Sequence, residues 1–169
     1  MATTGTSNVL IIDDDPDILD VIADMLPTEV IAIKVSNEIE AFKILNGQSI
    51  DLVICDIHIG KADGLGFLER CHRQQIWVPF IMISGFADKQ KILKAMRLGA
   101  IDVVEKPTII EYFRGNFQRH LASCKSVKKV NDSLKNICEI IDVKPTEDVE
   151  FLQEYLTLLE LQKNRKRAV

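Results

Sequence analysis

Four apolar segments of this 169-residue sequence each run into polar side chains that could take part in chemistry. Carboxylates about 4 Å apart repel by roughly 4 kcal/mol at an effective dielectric constant of 20, so aspartates that meet need a cation or bound protons. A hydroxyl and an ammonium beside such a cation would suit phosphoryl transfer onto a carboxylate. The residues in question are Asp13, Asp14, Asp56, Ser84 and Lys106.

Magnesium is the metal that this set favours. The candidate ligands are hard oxygens, without a well-placed histidine nitrogen or thiolate. Asp56 would be the nucleophile, Lys106 would supply positive charge, and Ser84 would donate a hydrogen bond. Taken singly, the aspartates would be helix caps, Ser84 a strand end and Lys106 a solvated lysine. Their joint occurrence at four segment ends favours one shared site.

These segments alternate with helical patterns. Continuous apolar runs such as Leu52–Cys55 are typical of strands covered on both faces, and the alternation predicts an α/β fold with a parallel sheet. Right-handed crossovers bring the carboxyl ends of parallel strands to one edge, where ligands bind. The predicted strands are 8–12, 30–35, 52–56, 78–83 and 102–105, with helices at about 16–26, 37–47, 65–75 and 89–98.

After the fifth strand the pattern becomes wholly helical. Apolar residues spaced by three and four between Phe113 and Ile141 predict one helix of about 33 residues. Thr146, followed by two acids, predicts the start of a second amphipathic helix. We expect a domain over residues 1–124 and a helical extension over residues 125–169, which would dimerise, hold a partner or pack on the domain.

The composition is that of an ordinary globular protein. A hydrophobic content of 47%, a charged content of 27% and a net charge of -4 indicate neither disorder nor a broadly basic nucleic-acid binder. The N-terminal residues contain no apolar signal segment, and no run reaches roughly 18 apolar residues, so we expect no membrane span and a cytoplasmic location. The cysteines form no Cys-x-x-Cys pair and predict reduced core thiols at Cys55, Cys71, Cys124 and Cys138.

Five short motifs, in this order, resemble those of a response-regulator receiver domain. The resemblance covers about residues 7–124 and implies a flavodoxin-like, doubly wound five-stranded parallel sheet in the order 2-1-3-4-5. It also implies two-component signalling, in which a histidine kinase or a histidine phosphotransfer protein phosphorylates the domain. The motifs are Ile12–Asp15, Asp51–Asp56, Asp63–Gly64, Ile83–Gly85 and Lys106–Pro107.

The resemblance also implies roles for the acidic residues. Asp56 would be the phosphoacceptor and a metal ligand, Asp14 would bind Mg²⁺ directly, and Asp13 would bind it largely through water. The backbone carbonyl of His58 would complete the metal site. The imidazole of His58 would then have no catalytic role.

Two positions depart from the family pattern. Where the family usually has Met-Pro after the phosphoacceptor, this chain has Ile59-Gly60, a more flexible turn that should leave the metal site workable. The position that normally holds a Tyr or Phe which turns inward on phosphorylation is Val103. Without a ring to move, signalling would use backbone and helix shifts, or its coupling would be weak.

Two functions fit these features. The first is a phosphorylation-activated response regulator, not itself an enzyme, that signals through helix-mediated dimerisation or partner binding. The second is the N-terminal regulatory part of a longer regulator with an enzymatic output domain, such as a phosphatase or a cyclic-dinucleotide enzyme. Nucleic-acid binding is disfavoured because the last 45 or so residues contain no recognisable helix-turn-helix and one short basic cluster, Lys163–Arg167.

Overall fold

A computed structural model describes residues 6–85 and 89–140, apart from the side chains of Pro107, Asn116 and residues 126–140. The elements in chain order are β1 (Ser7–Ile12), α1 (Pro16–Met25), β2 (Val30–Val35), α2 (Glu38–Gly47), β3 (Leu52–Asp56), β4 (His58–Ile59), β5 (Ala62–Asp63), α3 (Gly64–Arg73), β6 (Phe80–Ser84), α4 (Lys89–Arg97), β7 (Asp102–Glu105) and α5 (Ile109–Ile140). Five parallel strands form one sheet in the order β2-β1-β3-β6-β7. Counted along this sheet the order is 2-1-3-4-5, which confirms the flavodoxin-like doubly wound prediction.

Strand β3 lies in the middle of the sheet, and all five of its residues are buried. It pairs with β1 on one side and β6 on the other, so that Ile54 lies beside Ile11 and Ile81. A strand covered on both faces has no solvated face to favour polar residues. This position explains the uninterrupted apolar run that the sequence shows before Asp56.

The predicted helix starts are confirmed by their caps. The side chain of Asp15 accepts a hydrogen bond at the start of α1, where Pro16 is the first helical residue. Asn37 accepts the backbone N–H of Glu40 at 2.9 Å, and so caps α2. Asp63 caps α3 in the same way through the backbone N–H of Leu65, at 3.0 Å.

Two predicted boundaries were displaced by a few residues. Helix α3 ends at Arg73, because Gln75 adopts a left-handed backbone conformation with φ of 57°. Strand β6 begins at Phe80 rather than Val78. The residue before Phe80 is Pro79, which has no backbone N–H to donate to a neighbouring strand.

The predicted loop between β3 and α3 contains a small antiparallel hairpin made of β4 and β5. Gly60, at its turn, has φ of 59°, a conformation that glycine adopts without steric cost. Ile59 is buried. The hairpin therefore anchors the segment that follows the central strand.

Helix α5 has 32 residues and a length of about 48 Å, close to the predicted length. The chain divides into two compact units, Met1–Gln118 and Arg119–Val169, and α5 runs through the boundary between them. The boundary expected near residue 124 stays a prediction. The second helix predicted from Thr146 and the basic cluster Lys163–Arg167 lie outside the described residues.

Three cysteines in the described part of the chain are buried thiols outside any disulfide: Cys55, Cys71 and Cys124. They agree with the predicted core thiols, whereas the side chain of Cys138 lies outside the description. None of the helices in the described part combines the length and apolarity needed to cross a bilayer.

Candidate functional site

The carboxyl edge of the sheet brings four of the predicted side chains together. One oxygen from each of Asp13, Asp14 and Asp56 lies within 4.8 Å of the others. Nζ of Lys106 lies 2.6 Å from Oδ2 of Asp56 and 3.0 Å from Oδ2 of Asp13. The convergence predicted from the strand ends is therefore present, with one ammonium bridging two carboxylates.

Asp56 is the last residue of β3, and it is only 3% exposed. Its Oδ1 accepts the backbone N–H of His58 at 2.9 Å, while its Oδ2 pairs with Lys106. The two contacts, made by different oxygens, fix the rotation of the carboxylate. The Asp56 carboxylate is thus held in one orientation at the edge of the sheet.

Asp13 is fully buried, and its Oδ1 accepts the backbone N–H of Asp15 at 2.9 Å. Burial raises the pKa of Asp13 above its ordinary value of 3.8. The hydrogen bonds from Asp15 and Lys106 lower this pKa, and the negative charge of Asp56 raises it further. Asp14, by contrast, is exposed. The site thus combines two buried carboxylates with one that faces solvent.

Lys106 follows β7 directly and is partly buried. Its burial acts to lower its pKa, but the hydrogen bonds and charges of Asp56 and Asp13 outweigh this effect and leave the pKa raised above 10.5. The side chain is therefore protonated at neutral pH. A fixed positive charge lies against the two buried carboxylates.

The three carboxylates fit a divalent cation. Oδ2 of Asp13 is buried, and it lies 3.0 Å from the Lys106 ammonium. Hard oxygens from Asp13, Asp14 and Asp56 are the donor type that Mg²⁺ prefers. The donor set and its clustering agree with the predicted magnesium site.

Ser84 and Val103 lie on the two strands beyond Asp56. Ser84, the last residue of β6, is buried, and it follows Ile83, whose register partner is Asp56. This places Ser84 next to the site at the same edge. Val103 pairs with Met82 and packs, half-buried, against the main apolar core. No aromatic ring is present at that position.

His58 contacts the site through its backbone. Its N–H is bound to Asp56, while its exposed imidazole turns away and lies with Nε2 2.7 Å from Nζ of Lys91 on α4. This contact joins the hairpin to α4 and was not predicted. The role of the His58 carbonyl as a metal ligand stays a prediction.

Gly64 is a positioning residue that sequence reasoning missed. A Cβ atom added here would lie 2.0 Å from the backbone oxygen of Asp56, and the Gly64 N–H donates to the oxygen of Ile57 at 2.8 Å. The first turn of α3 is thus pressed against the end of β3. The Asp63-Gly64 pair was the available signal, but it indicated only a loop and one motif of the family resemblance.

This chain is similar in sequence to response regulators. Residues 9–114 match the family model of the response regulator receiver domain. The chain belongs to this family. The DctR protein of Bacillus subtilis, a probable C4-dicarboxylate response regulator, is 30% identical over 129 residues, which are 75% of this chain and 57% of that protein. A putative NtrX-like response regulator of Rickettsia bellii is 39% identical over 103 residues, 59% of this chain and 22% of that protein.

Solved structures agree with the receiver assignment. The crystal structure of NtrX from Brucella abortus is 30% identical, with a TM-score of 0.66 over 76% of this chain and 30% of that one. The receiver domain of an HD domain-containing protein from Pseudomonas fluorescens shares the fold, with a TM-score of 0.69 at 24% identity over 76% of this chain and 96% of that one. Among the curated relatives named above, the match spans 57% and 22% of their length. This receiver thus corresponds to about half or less of those proteins.

Proposed function

We propose that this receiver accepts a phosphoryl group on Asp56, in a Mg²⁺-dependent reaction, from a histidine kinase or a histidine phosphotransfer protein. The observation that supports this proposal is the bridging ion pair at the sheet edge. The Asp56 carboxylate is buried at the end of the central strand and lies 2.6 Å from the Lys106 ammonium. Asp51, at the start of the same strand, instead accepts the backbone N–H of Asn8 at 2.9 Å.

The reaction requires an in-line displacement at phosphorus. An Asp56 oxygen forms the new O–P bond while the P–N bond of the phosphohistidine breaks, and the leaving imidazole retains the electron pair. The Lys106 ammonium stabilises negative charge on the phosphoryl oxygens, and the Ser84 hydroxyl donates a hydrogen bond to one of them. Positioning and charge neutralisation therefore account for most of what these residues contribute.

The metal would be held by Asp14 directly, by Asp13 largely through water, by Asp56 and by the backbone carbonyl of His58. When bound, Mg²⁺ supplies positive charge to the phosphoryl oxygens and offsets the repulsion among the carboxylates. The Asp13 carboxylate also holds the loop before α1 through the Asp15 N–H, so its side chain both orders the loop and lines the metal site.

Mass spectrometry after treatment with acetyl phosphate and Mg²⁺ tests the phosphoacceptor. We expect one added phosphoryl group in the wild type, none in Asp56→Ala and one in the matched control Asp51→Asn, which changes the other end of β3. Omitting Mg²⁺ should abolish the modification. A phosphoryl group retained by Asp56→Ala would assign the acceptor to another residue.

We further propose that the helices after β7 carry the signal through a homodimer. This is supported by the single 32-residue helix α5 and by the apolar residues that recur along its second half at Val127, Val130, Leu134 and Ile137. Burying each such side chain is worth roughly 1.5–3 kcal/mol, so a stripe of them favours association. Because Val103 has no ring, we expect a dimer that exists without phosphate and is modestly tightened by it.

Light scattering on residues 1–169 and on a chain ending at Cys124 tests the dimer. The full chain should have the mass of a dimer and the shorter chain that of a monomer. A Leu134→Glu change in the full chain should also favour the monomer. A monomer at tens of micromolar protein in both phosphorylation states would reject the dimer and leave intramolecular packing as the account of these helices.

The second candidate is a regulatory part of a longer response regulator whose output domain is enzymatic. The observation that favours it is that the match spans only 57% and 22% of the curated relatives named above. In either case the receiver itself would be a non-enzymatic, cytoplasmic signalling module that assists its own phosphorylation. The size of the native protein on an immunoblot of source cells separates the two candidates.

A further inference from the structure

The outward face of α4 is basic. The helix contains three lysines and one arginine and no acidic residue. Lys89, Lys94 and Arg97 are exposed and form no ion pair within the described ranges 6–85 and 89–140. They surround Leu93, which is 47% exposed. At about 100° per residue these four side chains share one side of the helix, so α4 presents an apolar centre with a cationic rim.

The outward face of α1 has the opposite charge. The helix contains three aspartates and no basic residue, and Asp17, Asp20 and Asp24 are all exposed. Val21 lies beside them and is 41% exposed. Asp20 pairs with Lys34 of β2, whereas the Asp17 and Asp24 carboxylates form no ion pair with described residues. This stripe is about 10.5 Å long, and the span from Lys89 to Arg97 on α4 is about 12 Å.

We propose that α1 of one copy of this protein docks on α4 of a second copy. Val21 would contact Leu93, with the aspartates of α1 facing the cations of α4. An apolar centre with a charged rim is the usual composition of a protein interface, and complementary charge favours the encounter. The proposal does not depend on phosphorylation of the receiver or on its C-terminal helices.

The topology makes this contact head-to-tail. The step from β1 to β2 runs in the opposite direction to the later crossovers, so right-handed connections place α1 on the face opposite α4. Helix α1 contacts β1 and β2, and α4 contacts the far edge strand β7. Two copies therefore cannot exchange both contacts about one two-fold axis, and the association builds a ring or an open chain of more than two copies.

Sedimentation velocity of the full chain tests the association. At about 0.01 M salt, where the Debye length is about 30 Å, the weight-average mass should rise steadily beyond that of a dimer as protein approaches about 1 mM. At about 1 M salt the Debye length is about 3 Å, and the apparent Kd should rise at least about tenfold. A mass that stays at or below that of a dimer up to about 1 mM protein at low salt would overturn the proposal.

Charge reversal identifies the two faces. The double variants Asp20→Lys/Asp24→Lys on α1 and Lys94→Glu/Arg97→Glu on α4 should each lose the rise in mass beyond that of a dimer. An equimolar mixture of the two should regain it, because each reversed face then meets its complement on the other variant. If circular dichroism shows both variants folded, failure of the mixture to associate would reject the pairing of these faces.

A matched variant separates local pairing from net charge. Lys43→Glu/Lys61→Glu makes the same change in net charge at exposed positions outside both faces. It should associate as the wild type does at equal ionic strength. A loss equal to that of Lys94→Glu/Arg97→Glu would show that total charge rather than the α4 face controls association, and would also overturn the proposal.

Discussion

Replacing Gly64 by alanine puts a methyl group into the contact between α3 and the end of β3. The added Cβ would lie 2.0 Å from the backbone oxygen of Asp56, 3.0 Å from its carbonyl carbon and 3.2 Å from that of Ile57. All three obstructing atoms belong to the backbone, so no side chain can rotate away. Either the start of α3 or the end of β3 must move by at least about 1 Å, because close-packed interiors contain no free volume there.

The expected loss has two parts. Overpacking typically costs about 1–3 kcal/mol, and a clash with backbone belongs at the upper end, near 3 kcal/mol. In a chain of this size that lowers Tm by about 6–12 °C. The displacement also moves Asp56 relative to Lys106, now 2.6 Å apart, and a misplacement of about 1 Å can cost roughly 100-fold in rate.

The assay is the initial rate of phosphorylation by acetyl phosphate, with Mg²⁺ affinity and Tm measured on the same samples. Rates are compared at a temperature where circular dichroism shows both proteins folded, so that loss of folded protein does not count as loss of rate. Gly47→Ala is the control, since its Cβ meets nothing within 4 Å and alanine favours a helix by about 1 kcal/mol. A wild-type rate and Tm in Gly64→Ala would refute the positioning role of this glycine.

Three further outcomes are expected. Asp14→Ala should weaken Mg²⁺ binding at least about tenfold in a titration, and unchanged affinity would contradict the metal site. Burial lowers the pKa of His72 below 6.5, so its contribution to stability is complete above pH 6.5 and is lost as pH falls below it. Denaturation followed by the single tryptophan, Trp77, whose ring stacks 4.7 Å from that of His72, should show this loss in the wild type and a smaller one in His72→Gln. Burial raises the pKa of Cys71 to about 12 and that of Cys55 well above 9.0, so both should resist alkylation at neutral pH until the protein is denatured.

The sheet and the convergence of the site could be predicted because both follow from local sequence and one topological rule. A strand buried on both faces must be apolar throughout, and β3 is, up to Asp56. Parallel strands with right-handed crossovers share their carboxyl edge, so Asp13 and Lys106 had to approach Asp56 although they are far apart in the chain. The boundaries near Gln75 and Pro79 depended on single backbone conformations, which apolar periodicity does not report.

Contacts between separate elements could not be predicted. The approach of Gly64 to the Asp56 carbonyl depends on how far α3 packs into the sheet, and the distance of 2.0 Å to an added Cβ appears only in three dimensions. The contact between His58 and Lys91 joins residues 33 positions apart. The spacing in sequence between Gly64 and Asp56, or between His58 and Lys91, does not set these residues apart from other glycines and lysines in the chain. Sequence alone therefore does not identify these contacts.

The bridging position of Lys106 suggests how a receiver with Val103 can still signal. Its ammonium is shared between Asp13 and Asp56, and a phosphoryl group on Asp56 would compete with Asp13 for it. Lys106 is also the first residue of a short 3-10 turn that leads directly into α5. A movement of the Lys106 side chain would therefore act close to the start of α5, and it would not require an aromatic ring at position 103.

The start of α5 is held to β7 by a second contact. The Tyr112 hydroxyl donates to Oδ2 of Asp102 at 3.1 Å, and Oδ1 of Asp102 accepts the backbone N–H of Val103 at 2.9 Å. Strand β7 is thus tied to α5 at its beginning by Asp102 and at its end by the turn after Lys106. Because interfaces of this kind change by small shifts between discrete arrangements, a shift of β7 toward the phosphorylated site would move α5 with it. The energy available for that shift is the difference between the two states in all contacts of the proposed phosphoryl group, those with Lys106 and Ser84 included.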